Sequence, residues 1–262
     1  MNRVKRVALR VLAVAAVLCF PFAVWGQMPA QRQTGVKVTS AMPGMKMTDM
    51  GHQIFAHALL DQFEGRTNGP DQEFRWDGEG WIGGDLNKLW IKSEGVVSNG
   101  VVSDGDQEFL YDRAIPRLRY FDAQVGVRED LDSGPTRTWA AIGIEGMAPY
   151  FFEFAPTLYI GKGGNVGGRI NASYELLFTQ RLIAEPQAEL NFYSQDDRAR
   201  GTGAGLSEID TGIRLRYELS RKFAPYVGFA YNGKYGDAAK FARADGERVS
   251  DPRFVFGVRA WF

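Results

Sequence analysis

The strongest constraint on the fold is an alternation with period two that runs longer than a soluble strand needs. From Val166, the residues Val166, Gly168, Ile170, Ala172, Tyr174, Leu176 and Phe178 alternate with Arg169, Asn171, Ser173 and Glu175. Ile209, Thr211, Ile213, Leu215, Tyr217 and Leu219 alternate with Glu208, Asp210, Arg214, Arg216 and Glu218, and the last residues set Phe254, Phe256, Val258, Ala260 and Phe262 against Arg253, Val255, Gly257, Arg259 and Trp261. Side chains of a strand point alternately to its two faces, so each run makes one apolar and one charged face. Soluble strands average about five or six residues, whereas a tilted membrane-crossing strand needs roughly nine to eleven. Charges of both signs on the polar face suit a wet lumen. The pattern predicts an all-β, antiparallel outer-membrane β-barrel.

The connections set the strand number. Short links (GGDLN, IPR, MAP, TQR, SRK) alternate with longer stretches (SNGVVSDGD, EDLDSGPT, DDRARGTGAG, GDAAKFARADGERVSD), matching the short periplasmic turns and long external loops of such barrels. Counting back from the C-terminal strand makes Phe74 to Ile82 a descending strand, which requires an ascending one before it. Ile54 to Glu64 is the segment available, and the total becomes about twelve, an even number. A terminal phenylalanine resembles the C-terminal signal of bacterial outer-membrane barrels. Pro156 and Pro186 fall inside strands, where each removes a ladder donor, and bulges or strand ends are expected there. Tyr111, Tyr120, Tyr150, Phe151 and Phe223 near strand ends are candidates for interfacial girdles.

Ahead of the strands the chain reads differently. Arg3, Lys5, Arg6 and Arg10 precede an apolar run from Val7 to Phe22, the pattern of a signal peptide over residues 1–26, with an uncleaved anchor as the alternative. Its removal leaves 27 basic against 31 acidic side chains, about −4, a balance that argues against nucleic acid as a partner. The sole cysteine, Cys19, lies in the apolar run, so the mature chain has no disulfide and relies on hydrogen bonding and burial.

Residues 27–52 read as a flexible segment ahead of a barrel over 53–262. Met42, Met45, Met47 and Met50 fall within nine residues, with His52 two further on and His57 in the first strand. Thioether sulfur is soft and uncharged and favours Cu(I), while imidazole holds either copper state. Pro43, Gly44 and Gly51 break helix and leave a segment able to wrap around an ion. The bland reading, a linker whose methionines are incidental, is weakened because four of the six methionines beyond the initiator cluster here. In the barrel, Asp77, Glu79, Asp85, Lys88, Lys92 and Glu94 lie on or near the first hairpins. Glu145 and Met147 share a face with Trp139, near Glu153, as a possible second stop for an ion. Charges pairing with one another to hold the barrel is the stronger reading of these positions. Catalysis is not expected: an imidazole-based dyad would have only His52 and His57 to draw on, and no serine motif accompanies them.

Three blocks, WDGEGWIGGDLNKLWIKSEG (76–95), FLYDRAIPRLRYFDAQVGVRED (109–130) and WAAIGIEGMAPYFFEFAPTLYIG (139–161), resemble the copper resistance protein B family. The resemblance runs from about Ala56 to Phe262. It implies an outer-membrane barrel in the cell envelope of copper-tolerant Gram-negative bacteria, with a Met/His-rich periplasmic segment that binds copper and periplasmic copper-resistance proteins as partners. The function expected is copper binding with export or sequestration; the alternative is a structural or adhesive barrel with no transport role.

Overall fold

A computed structural model describes residues 54–69, 71–118, 120–131 and 137–262. The signal peptide, the flexible segment and Met42, Met45, Met47, Met50 and His52 therefore lie outside the described residues.

The chain forms a closed antiparallel barrel of twelve staves. In order these are β1 (Phe55–Asn68), β2 (Asp71–Gly83), β3 (Asn87–Ser98), β4 (Val101–Ala114), β5 (Phe121–Asp130), β6 (Thr138–Ala148), β7 (Phe152–Gly161), β8 (Val166–Tyr174) with its continuation β9 (Leu176–Leu177), β10 (Leu182–Tyr193), β11 (Gly205–Tyr217), β12 (Phe223–Lys234) and β13 (Ser250–Trp261). Neighbours in sequence pair throughout, and β13 returns to β1. At that seam Ala58 N donates to Phe262 O at 3.1 Å and Phe262 N to Ala58 O at 2.8 Å. The strand expected from Ile54 is thus the one that closes the ring.

Alternation sorts the two faces as the sequence pattern requires. Phe254, Phe256, Ile213, Leu215, Val125, Val127 and Leu158 are exposed on the outside, while Arg253, Val255, Arg214, Arg216 and Arg128 are buried within. An apolar exterior over a charged interior places lipid outside and polar groups inside. Tyr111, Tyr120, Tyr150, Phe151 and Phe223 are exposed, and all five lie at the short-turn end, where a single aromatic girdle fits the membrane interface. On the outer face the Phe256 ring covers Gly65; a Cβ there would come 2.7 Å from Phe256 Cζ. Phe256→Arg, in mid-strand on the lipid side, is expected to cost about 2–4 kcal/mol, measurable by denaturant unfolding of protein folded into vesicles.

Three local expectations, for SNGVVSDGD, Pro156 and Pro186, are corrected, and one long connection is kept with a helix inside it. SNGVVSDGD is no long loop: β3 and β4 meet in a two-residue turn, with Asn99 at φ 53° and Gly100 at φ 76°, the positive pair that matches the twist of a hairpin. GDAAKFARADGERVSD contains a helix, α1 (Gly236–Asp245), whose Ala238, Ala239 and Ala242 are buried and whose end is capped by Gly246 in the left-handed region. Neither Pro156 nor Pro186 makes a bulge or ends its own strand; instead the ladder lapses on one side. No pair forms between Gly143↔Thr157 and Gly146↔Phe154, and the break between β8 and β9 falls opposite Glu185 and Pro186. Bulges lie elsewhere, at Ser103 on β4, at Ser207 on β11 and at Asp61, the last being where β1 carries one extra residue against both neighbours. That last bulge turns consecutive residues inward: Asp61 accepts from Arg259 Nε at 2.7 Å and Gln62 donates to Gln187 at 2.8 Å.

Candidate functional site

The interior is the candidate site, and the wall formed by β2 to β4 is its acidic side. On β2 to β4 the inward register carries Asp71, Glu73, Asp77, Glu79, Glu94, Asp104, Asp106, Glu108 and Asp112 against Arg75, Lys88 and Lys92, nine carboxylates to three cations. The wall from β8 to β13 carries Arg169, Arg214, Arg216, Arg253 and Arg259 together with Glu185, Glu189, Glu208, Asp210 and Asp251. A buried charge needs a partner of opposite sign; some partners are local, as in Arg216–Glu185 and Arg253–Asp251, and others stand across the lumen, as in Arg75–Asp210 and Arg169–Asp106.

An unbroken chain of alternating charges results. Arg214 Nη2 and Arg66 Nε reach Glu64 at 2.8 and 2.7 Å, and Tyr226 donates to the same carboxylate at 3.0 Å. Arg66 continues to Asp210 at 3.0 Å, which also receives Arg75 at 3.2 Å. Arg75 lies 3.6 Å from Glu94, and Glu94 is paired with Arg169. Arg169 meets Asp106 at 2.7 Å, Asp106 meets Arg128 at 2.9 Å, and Asp130 joins Arg128 at 3.1 Å to Arg137 at 2.8 Å. Arg75 on β2 and Arg169 on β8 each bind the opposite wall, so the chain bridges the lumen and fills it at mid-height. Beside it, Leu110, Trp139, Ala141 and Tyr159 form a small buried apolar cluster, and Tyr159 donates to Glu108 at 2.5 Å.

Below this plug, toward the short turns, lies a cavity of about 290 Å³ lined by Trp90, Asp112, Tyr120, Asp122, Glu145 and Gly146. Lys88 Nζ is 3.0 Å from Asp122 and 3.8 Å from Asp112, Lys92 is paired with Glu145, and Gln124 Nε2 donates to Asp112 at 3.1 Å and to Glu145 at 2.9 Å. A band of aromatic rings borders it. His57 sits between Trp261 at 5.8 Å and Trp81 at 6.0 Å, and Trp81 stands 6.2 Å from Trp90.

The residues expected to matter are therefore placed as follows. His57, Asp77, Glu79, Lys88, Lys92 and Glu94 lie on the inward register, while Asp85 is exposed in the turn after β2. Glu145 shares the inward face with Trp139, and its carboxylate is engaged by Lys92 and Gln124. Met147 and Glu153 pair across β6 and β7 at the rim, where Met147 is exposed and Glu153 accepts from Ser173 at 2.8 Å. Among the described residues no three His, Cys, Asp or Glu side chains are grouped to ligate a metal directly. Sequence reasoning missed Arg75, Arg169, Trp90 and Asp112; the alternation Asp106, Glu108, Leu110, Asp112 was the signal available for the last.

A closed, apolar-coated barrel with a charged interior defines an outer-membrane β-barrel protein. The fold is similar to that of NanC porin, with a TM-score of 0.50 at 14% identity, covering 79% of this chain and 99% of that one. A family model described as copper resistance protein B precursor (CopB) matches residues 54–262, and the chain belongs to that family. It is 41% identical over 217 residues to copper resistance protein B of Escherichia coli, covering 81% of this chain and 73% of that protein. It is 38% identical over 249 residues to a copper resistance protein B homolog of Pseudomonas syringae pv. tomato, covering 92% and 84%.

Proposed function

We propose that this protein confers copper resistance by capturing copper at its N-terminal Met/His segment, in the periplasm, and aiding its export or sequestration across the outer membrane. Met42, Met45, Met47 and Met50 supply thioethers for Cu(I), and His52 and His57 supply imidazoles. His57 is the one of these within the described barrel, on the inward register of β1. Periplasmic copper-resistance proteins are the partners that would deliver or accept the ion, and the chain performs no covalent chemistry in this reading.

One observation carries the reading beyond family membership: the nine-to-three excess of carboxylates over cations on the inward register of β2 to β4, which favours a cation over an anion as the species admitted. The cross-lumen ion pairs favour the alternative, a structural barrel that moves nothing. Liposome flux separates the two. Replacing Met42, Met45, Met47 and Met50 together by leucine is expected to impair copper-dependent flux by about tenfold and to abolish Cu(I) binding by the segment, as removal of soft ligands predicts. Unchanged flux in that variant removes the cluster from the transport step, and absence of flux in the intact protein supports the structural reading.

A further inference from the structure

The cavity at the short-turn end holds more than a set of mutually satisfied ion pairs. Asp112 is 1% exposed, yet its Oδ1 accepts no hydrogen bond; Lys88 Nζ stands 3.8 Å away, beyond hydrogen-bond reach. The buried indole Nε1 of Trp90 likewise has no hydrogen-bond partner. Three carboxylates, Asp112, Asp122 and Glu145, line this space and face two ammonium groups, Lys88 and Lys92, the second of which is shared with Glu79, so carboxylates outnumber ammonium groups here.

Both lysines also have a second place to rest. Lys88 Nζ lies 5.5 Å from the centroid of Trp81, and Lys92 Nζ lies 5.3 Å from that of Trp90. An ammonium over an indole face keeps a favourable electrostatic contact without a carboxylate. A lysine stem is long and flexible, so its head can give up an oxygen and stay on the ring.

We propose that this vestibule binds a hydrated divalent cation through Asp112, Asp122 and Glu145, and that Lys88 and Lys92 are tethered stand-ins that hold those carboxylates until the ion displaces them. The volume of about 290 Å³ accommodates an ion with its inner waters, each taking about 30 Å³ in the liquid. The lack of any direct-ligation trio among the described residues fits an ion that keeps its water and meets the carboxylates through it. Oxygen donors favour a divalent ion over soft monovalent Cu(I), so the vestibule and the thioether segment select different oxidation states. The assignment rests on the copper reading above only for the identity of the cargo. The exchange itself is a property of these side chains: one ion enters, two ammonium heads shift onto Trp81 and Trp90, and no bond is made or broken covalently.

The test uses the full chain in detergent with Mn(II) as probe, because thioethers do not hold this hard ion, and follows loss of the free-ion paramagnetic resonance signal. Lys88→Met with Lys92→Met removes the stand-ins and is expected to tighten Mn(II) binding by about tenfold or more, as loss of two neighbouring like charges requires. Lys88→Arg with Lys92→Arg keeps the charges and should bind as weakly as the parent. Adding Asp112→Asn and Glu145→Gln to the methionine variant should return binding to the parent level. A methionine variant that binds no tighter than the parent, or tight binding that survives loss of both carboxylates, overturns the proposal. If the double lysine variant fails to fold, Lys92→Met alone must show an intermediate gain. Cu(I) binding by the N-terminal segment is read separately by competition with a Cu(I) chelator, so failure of that site leaves the Mn(II) result interpretable.

Discussion

Replacing Arg75 and Arg169 together by alanine is expected to convert the barrel from a plugged to a conducting form in planar lipid bilayers, with a rise in ion conductance on the order of tenfold and a preference for cations. Both arginines reach across the lumen, to Asp210 at 3.2 Å and to Asp106 at 2.7 Å. Their removal takes away two arginines that cross the lumen and leaves Glu94 and Glu189 without their cationic partners, while Asp106 keeps Arg128 and Asp210 keeps Arg66. The selectivity is the more telling half of the result. A pore opened by general loosening would conduct ions of both signs, whereas one lined by released carboxylates favours cations. A conductance unchanged from the parent would mean that these two side chains do not form the barrier.

The second large effect is on stability. Glu64 is fully buried and serves as the hub for Arg66, Arg214 and Tyr226, all within 3.0 Å. Glu64→Ala leaves the buried Arg214 with no carboxylate partner and Arg66 with Asp210 alone, and breaking a buried pair by removing one partner costs roughly 3–5 kcal/mol. Urea unfolding in vesicles, or the temperature at which the compact band is lost in electrophoresis, should register a loss of that order. Glu64→Gln keeps the acceptor oxygen for one arginine and should lose less. A loss below about 1 kcal/mol in the alanine variant would show that water enters and replaces the carboxylate, as at a surface pair.

The barrel was legible because its information is local. Period two in Ile209–Leu219 and Phe254–Phe262 assigns each residue to a face without knowledge of any partner. The need for a strand before Phe74 followed from parity alone, and β1 fills that need. Local features that failed did so for physical reasons. The Asn99-Gly100 turn was hidden inside a polar, glycine-rich stretch that reads as a loop unless its two positive-φ positions are recognised. Helix α1 offers an alanine stripe at Ala238, Ala239 and Ala242 with little apolar contrast, and it packs where Gly203 lets its backbone come close. The site was legible by half. Asp77, Glu79, Lys92 and Glu94 could be assigned inward, but their partners could not, since Arg75 and Asp210 lie 135 positions apart and Arg66 and Asp210 lie 144. Such pairing is set by closure, which brings together walls that have no neighbourhood in the chain.

The seam between β1 and β13 carries a consequence for how the molecule comes into being. Every other ladder joins strands adjacent along the chain, separated by a turn or a loop of modest length, and such contacts form cheaply. The last ladder joins Ala58 to Phe262, and until it forms, the first strand presents a free row of amide and carbonyl groups that lipid cannot satisfy. A growing sheet of eleven staves is therefore no partial barrel with partial stability in the bilayer. It is an open edge looking for a partner, and arrival of the final strand decides between closure on itself and pairing with another copy.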